Sequence, residues 1–211
     1  MIYSENLFIC VAAPLLLALF FTEKGARRFI CFLILGMTIS MVSAYINGFA
    51  ALLAGMDAHE AALFCAPVIE ELMKFLPLLY YLLIYPGVPS GLVSVSVAIG
   101  SGFAIFENMN YILSAGTESL PFMLQRGFVV GVMHLVCTAA AGIGLTALAK
   151  RRQLLFSGSI GILSLTITFH SVYNLLVSES GITMAAACCI PALGIAGLYL
   201  VYEFLEYDKI N

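Results

Sequence analysis

Between residues 5 and 204 the sequence repeats one pattern: an apolar stretch long enough to cross a bilayer, then a short polar break. A helix needs about 20 predominantly apolar residues to span the hydrocarbon core, and lipid offers no partner for unpaired backbone groups. The breaks delimit runs at roughly 5–22, 29–54, 61–84, 92–115, 126–149, 154–178 and 182–204. They predict an all-α fold, a polytopic membrane helix bundle of about seven transmembrane helices, and one integral membrane domain over 1–211. The longest connection runs from about Gly116 to Gln125, so no soluble domain is expected. Only 10% of residues are charged, against about a quarter in a soluble domain.

The chain starts Met-Ile-Tyr-Ser-Glu, without the basic region or small-residue cleavage site of a secretory signal, so the first run is expected to be a retained helix. Cys10, Cys31, Cys65, Cys137, Cys188 and Cys189 lie in apolar runs without metal-type spacing and read as small hydrophobes. A net charge of −3 and scattered basic residues exclude nucleic acid as a partner. The lipid bilayer is the expected medium. Lys24, Arg27 and Arg28 follow the first run, Lys150, Arg151 and Arg152 the fifth, and Lys209 the seventh. Seven crossings put these groups on one face, which the positive-inside rule makes cytoplasmic, leaving the N-terminus outside and the C-terminus inside. Asp57, Glu60, Glu118 and Glu179 then lie outside, and Arg126 sits at an outer span boundary. The halves show no internal repeat, unlike the commonest transporter folds.

Against this apolar background, Pro67-Val68-Ile69-Glu70-Glu71-Leu72-Met73-Lys74 places three charges inside the third run. Each costs about 2.5–3.5 kcal/mol at a helix centre, so they must be paired, hydrated or neutralised. Polar residues recur as Phe103-Ala104-Ile105-Phe106-Glu107-Asn108 in the fourth run, His134 in the fifth and His170-Ser171-Val172-Tyr173-Asn174 in the sixth. Glu70 is about nine residues from the outer end of its run, and Glu107, His134 and His170 about eight from theirs. At 1.5 Å per residue, four helices thus bring ionisable groups to one level, roughly 12–14 Å below the outer surface. One polar cavity in the outer half is expected.

Helical spacing sorts the neighbours. Glu70 and Lys74 are four apart and share a face, which suggests that they pair and that Glu71 is the reactive carboxylate. His170 and Asn174 share a face in the same way. Pro67 and Pro77 bracket the glutamates, where a kink would widen a pocket beside Glu70. Gly127 and Gly131 permit close helix approach. Each feature also has a plainer reading: His134 as a helix-bridging donor, Glu70–Lys74 as a structural pair, and Asn108, Asn110 and Asn174 as interhelical links. His59 and Glu60 read as solvated. The common depth is what raises the set above its members.

Glu70-Glu71-x-x-Lys74, Phe103-x-x-x-Glu107-Asn108, His134 and His170-x-x-x-Asn174, in this order on successive helices, resemble the PrsW family of bacterial intramembrane proteases, relatives of the type II CAAX prenyl endopeptidases and the Abi proteins. The resemblance covers residues 61–178, spans three to six, as a catalytic core. The prenyl-protease relatives typically carry EExxxR and FxxxH where this chain has EExxK and FxxxE, which favours the PrsW branch. The resemblance implies a protease of the bacterial cell membrane that cuts a single-span protein, such as an anti-sigma factor, on its extracytoplasmic side.

The chemistry that fits is attack by water. Glu70 or Glu71 would act as general base in a low-dielectric pocket, and by the family's logic Glu107 would hold or activate the water. His170 and Asn174 would donate to the developing oxyanion. His134 would orient the water or protonate the leaving amine, and Lys74 would keep its partner carboxylate ionised. No cofactor is required by this scheme, although Glu71, Glu107, His134 and His170 are competent zinc ligands. No serine or cysteine is placed beside a base, and HExxH is absent. The other readings are an ion- or proton-coupled transporter using the same groups as a relay, a CAAX/Abi-like prenyl protease and an immunity protein. For the orientation, a reporter fused after Asn211 is expected to signal from the cytoplasm, and an external signal inverts the topology.

Overall fold

The computed structural model describes residues 4–85, 89–115, 120, 124, 126–149, 151–179 and 181–210. These contain seven long helices and no strand: α1 (Ser4–Ala18), α2 (Lys24–Ala54), α3 (Ala66–Ile84), α4 (Pro89–Ala115), α5 (Gly131–Ala149), α6 (Leu155–Ser178) and α7 (Ile182–Ile210). Two of them begin with wide, π-helical turns, Ala61–Cys65 before α3 and Arg126–Val130 before α5. Lys150 and Glu118, used above for orientation, lie outside the described residues, as does most of the connection from Gly116 to Gln125.

Five helical stretches are long and apolar enough to cross a membrane: Lys24–Ala54, Gly91–Leu113, Arg126–Ala149, Leu155–Ser178 and Ile182–Glu203. The other two differ for separate reasons. α1 was expected over 5–22 but stops at Ala18 after 15 residues. α3 carries Glu70, Glu71 and Lys74, and reaches the expected 61–84 only with the wide turn before it. Large apolar side chains such as Phe20, Phe49, Phe128, Phe156 and Leu200 are exposed, as on a surface that meets acyl chains rather than water.

The ends of the helices follow their sequence. α2 ends where Gly55 takes φ 66° and returns its N–H to Ala51 and Leu52, the left-handed cap that glycine makes without strain. Two residues later Asp57 and Glu60 form a reciprocal capping box that starts the turn Ala58–Glu60.

The bundle is organised on α4, which lies between α2 and α5. A Cβ on Gly36 would stand 2.2 Å from Ile99 O, and one on Gly102 would stand 2.0 Å from Leu33 O. The α2 and α4 backbones therefore touch twice, three residues apart on α4, as small residues permit in lipid. Phe75, Leu78 and Leu82 of α3, Leu92, Val95, Ile99 and Phe103 of α4, and Ala141 and Leu145 of α5 form the core. Arg28 Nη1 donates to Tyr81 OH at 3.3 Å, tying the start of α2 to the end of α3. Packing and helix bonds bring the N-terminal ends of α3 and α5 together with the C-terminal halves of α4 and α6.

Replacing Gly102 with Ala forces the bundle apart at backbone atoms that cannot yield. It is expected to cost about 1–3 kcal/mol, read as a lowered thermal midpoint in detergent. Gly48→Ala, where nothing lies within 4 Å, should leave the midpoint unchanged or raise it slightly.

Candidate active site

The site begins with a proline. Pro67 has no N–H and its ring crowds the carbonyl four residues back, and the chain answers by widening, with Ala66 N–H reaching Ala61 O. In that register the donor to Ala62 O would be Pro67, which has none. Asn174 of α6 supplies the missing hydrogen bond, its Nδ2 donating to Ala62 O at 3.0 Å. Asn174 thus clamps α6 to the entrance of α3 through a side chain expected to face an oxyanion.

One turn further on, the pairing of the charges also differs from the spacing rule. Lys74 Nζ donates to Glu71 Oε1 at 2.6 Å, three residues back, rather than to Glu70. Both residues are 2% exposed or less, and the same Oε1 lies 2.9 Å from His170 Nδ1. A carboxylate oxygen only accepts, so Nδ1 carries a hydrogen and His170 turns Nε2 towards Glu70, 4.0 Å from Oε2. Glu70 is held instead by Asn47 of α2, whose Nδ2 donates to Oε1 at 3.1 Å. The two adjacent glutamates point to opposite neighbours, Glu70 to α2 and Glu71 to α6. Lysine follows Glu71 because that side also offers His134 Nδ1 at 3.2 Å and the Phe103 ring at 4.6 Å.

The opposite wall comes from α4 and α5. His134 Nε2 lies 2.7 Å from Glu107 Oε2, and with the Lys74 ammonium on Nδ1 it is the nitrogen that donates. Glu107 Oε1 lies 3.3 Å from Arg126 Nη2, and the guanidinium stacks 4.2 Å from the Tyr111 ring. Asn108 Nδ2 donates to Arg126 O at 3.2 Å, an approach that Gly131 permits, since a Cβ there would meet Nδ2 at 3.0 Å. Gly127, expected to share that role, has nothing within 4 Å. The rings of His134 and His170 stand edge to face, 5.1 Å apart.

The ionisable groups of four helices therefore meet. Glu70, Glu71, Lys74, Glu107, His134 and His170 form one connected cluster, and Glu70 and Glu107 line a cavity of about 350 Å³ with Ser4, Asn47, Phe103 and Tyr111. Glu71, Lys74, His134 and His170 are not among its lining residues and stand behind Glu70 and Glu107. Two participants have no counterpart in the sequence reading. Asn47 lies about seven residues from the outer end of its run, so the common-depth rule applied to amides would have found it. Arg126 sits at a span boundary, and only the reach of its side chain brings it to Glu107.

The electrostatics leave a deficit. Three carboxylates, Glu70, Glu71 and Glu107, face two fixed cations, Lys74 and Arg126, so the cluster requires one further positive charge, a proton or a bound cation. Glu70, His134 and His170 each offer a ligand atom, all within 4.8 Å of one another. The set is two imidazoles and a carboxylate, as in open catalytic zinc sites. Glu71 behind His170 Nδ1 supplies the outer carboxylate that such histidines need. This donor set fits a divalent cation, with Glu70 in the place that spacing had given to Glu71.

The sequence matches a family described as PrsW family intramembrane metalloprotease over residues 24–202, which leaves α1 outside the match. No curated protein and no solved structure is similar enough to match.

Lys74→Met leaves Glu71 buried with His170 as its remaining polar partner. A loss of about 3 kcal/mol is expected, measured as thermal unfolding in detergent. Lys74→Met combined with Glu71→Gln should recover much of that loss, because no buried charge then lacks its partner.

Proposed function

The chain belongs to the PrsW family and is an intramembrane peptidase of a multi-pass membrane protein type; from that premise we propose that it hydrolyses a peptide bond of a single-span protein near the extracytoplasmic end of the span, with Glu70 as general base. The observation that carries the proposal is that Glu70 and Glu107 both line the cavity. Glu71 is held through Oε1 by Lys74 and His170 and does not line the cavity. The base is therefore Glu70, whose single hydrogen bond from Asn47 leaves Oε2 free to act.

A water within reach of Glu70 Oε2 and His170 Nε2, 4.0 Å apart, is polarised by both. Glu70 takes a proton as the water oxygen bonds to the scissile carbonyl carbon. The carbonyl oxygen then carries the charge. With the Lys74 ammonium against Nδ1, His134 holds its hydrogen on Nε2 and directs it at Glu107 Oε2, which orients the Glu107 carboxylate in the cavity wall. Glu107 and Arg126 keep the ring in place. The carbon–nitrogen bond breaks as the protonated Glu70 returns its proton to the amine, which regenerates the carboxylate.

Glu70, His134 and His170 are the residues that would hold a divalent cation, which when bound supplies Lewis acidity and a more acidic water. While Lys74 is an ammonium, the hydrogen of His134 stays on Nε2, so holding a cation through that nitrogen would require Lys74 to lose a proton and accept from Nδ1. An ion relay needs polar groups at successive depths, and the buried charges here share one.

The substrate we propose is an anti-sigma factor of a bacterial cell membrane. Support comes from the family and from the site's place near the outer ends of α3 to α6, given a cytoplasmic C-terminus.

Cleavage of a single-span substrate by the purified protein is expected to fall by about 10²-fold or more in Glu70→Gln and Glu107→Gln, and to fall in His134→Ala and His170→Ala. Four variants as active as wild type exclude the site. Chelation followed by metal analysis then separates the two origins of the positive charge: lost activity restored by zinc assigns it to a cation, and unchanged activity with no bound metal assigns it to a proton.

A further inference from the structure

Four helices line the cavity, and they are not equally attached. α2 and α4 touch backbone to backbone at Gly36 and Gly102. α3 is fixed to α2, α5 and α6 through Asn47, His134 and His170. α1, which contributes Ser4 to the wall, is held differently. Its inward residues, Ser4, Leu7, Phe8, Val11, Ala12, Leu15 and Ala18, form one stripe of helical period, and Ala12 alone is fully buried. Its contacts include Phe8 edge-on to Phe106, with centroids 5.6 Å apart, and the hydrogen bond from Tyr45 OH to Glu5 Oε1 on an exposed surface.

α1 packs against both α2 and α4, through Tyr45 and Phe106, and so covers the groove between them, with Ser4 over the cavity that Glu70 and Glu107 line. A peptidase whose substrate is a single membrane helix must admit such a helix from the side, because lipid encloses the other faces.

We propose that the groove covered by α1 is the docking surface for the substrate's transmembrane helix, and that α1 swings aside to admit it. The occupant is an apolar single-span helix, because one already packs there by its own one-sided stripe. Exchange of helix for helix keeps every backbone group satisfied in lipid. It replaces one apolar stripe with another, at the cost of contacts such as Phe8–Phe106 and Glu5–Tyr45.

The inference rests on the peptidase reading for its purpose, and its test reads binding rather than cleavage. Glu5→Cys with Tyr45→Cys locks α1 to α2 on oxidation and frees it on reduction. A photoreactive residue at Ser40, buried in the cavity wall, or at Tyr199, on the exposed side of α7, is added to this pair in vesicles holding a biotinylated leucine–alanine single-span peptide. Capture at Ser40 is expected in the reduced protein and should fall on oxidation to the level seen at Tyr199. Capture at Ser40 that is unchanged by oxidation, or no greater than at Tyr199 when reduced, overturns the proposal. Cysteine singles control for the native thiols. Loss of cleavage by the reduced pair with capture intact counts against the catalytic assignment alone.

Discussion

A buried carboxylate in lipid must be satisfied from within the protein, and Glu71 shows how much of this bundle that condition governs. Its Oε1 receives Lys74 from its own helix and His170 from α6, and Lys74 in turn reaches His134 on α5. One charge thus joins three helices. Because a lone ion is so costly at this depth, the three cannot separate without exposing it, and the histidine rings are held in the orientations the chemistry needs. Glu71 acts as the fixed reference of the site, and this frees its neighbour Glu70 for the cavity.

The same economy of backbone groups explains the two wide turns. Each opens the outer end of a helix, Ala61–Cys65 before α3 and Arg126–Val130 before α5, and each is met by an asparagine from a neighbouring helix. Asn174 bonds Ala62 O, and Asn108 bonds Arg126 O. Widened turns of this kind recur at functional sites because they redirect the residues that follow. Here they stand on either side of the cluster and at the same level. Asn174, which looks like a catalytic donor in sequence, and Asn108, which reads as an interhelical link, therefore set the entry of α3 and α5, and so the positions of Glu70 and His134.

Much of this architecture is legible in the sequence, and the reasons for the exceptions are specific. The helices follow from bilayer-length apolar runs, and the convergence of Glu70, Glu107, His134 and His170 follows from counting residues from one face. Depth is a property of one helix at a time, so it survives ignorance of the packing. Azimuth does not. Whether Lys74 turns to Glu70 or Glu71 depends on what α2 and α5 present on either side, and both i,i+3 and i,i+4 spacings are open to it. Asn174 escaped for a related reason: its partner is a carbonyl left unbonded by a proline more than a hundred residues away, and no local pattern records that. The first run was overestimated because Leu19 to Phe21 are apolar yet turn back on Leu16, Leu17 and Ala18.

His134 concentrates what the site must resolve. Its Nδ1 faces the ammonium of Lys74 and its Nε2 faces Glu107, so the hydrogen sits on Nε2 while Lys74 is charged, and Nδ1 carries it only when Lys74 has given up a proton. With Lys74 charged, three carboxylates face two cations and one proton meets the deficit. With Lys74 neutral they face one, and a divalent cation meets the deficit with the ring as ligand. The arrangement of Lys74, His134 and Glu107 is thereby a single physical unit, in which the identity of the missing positive charge fixes the role of the histidine.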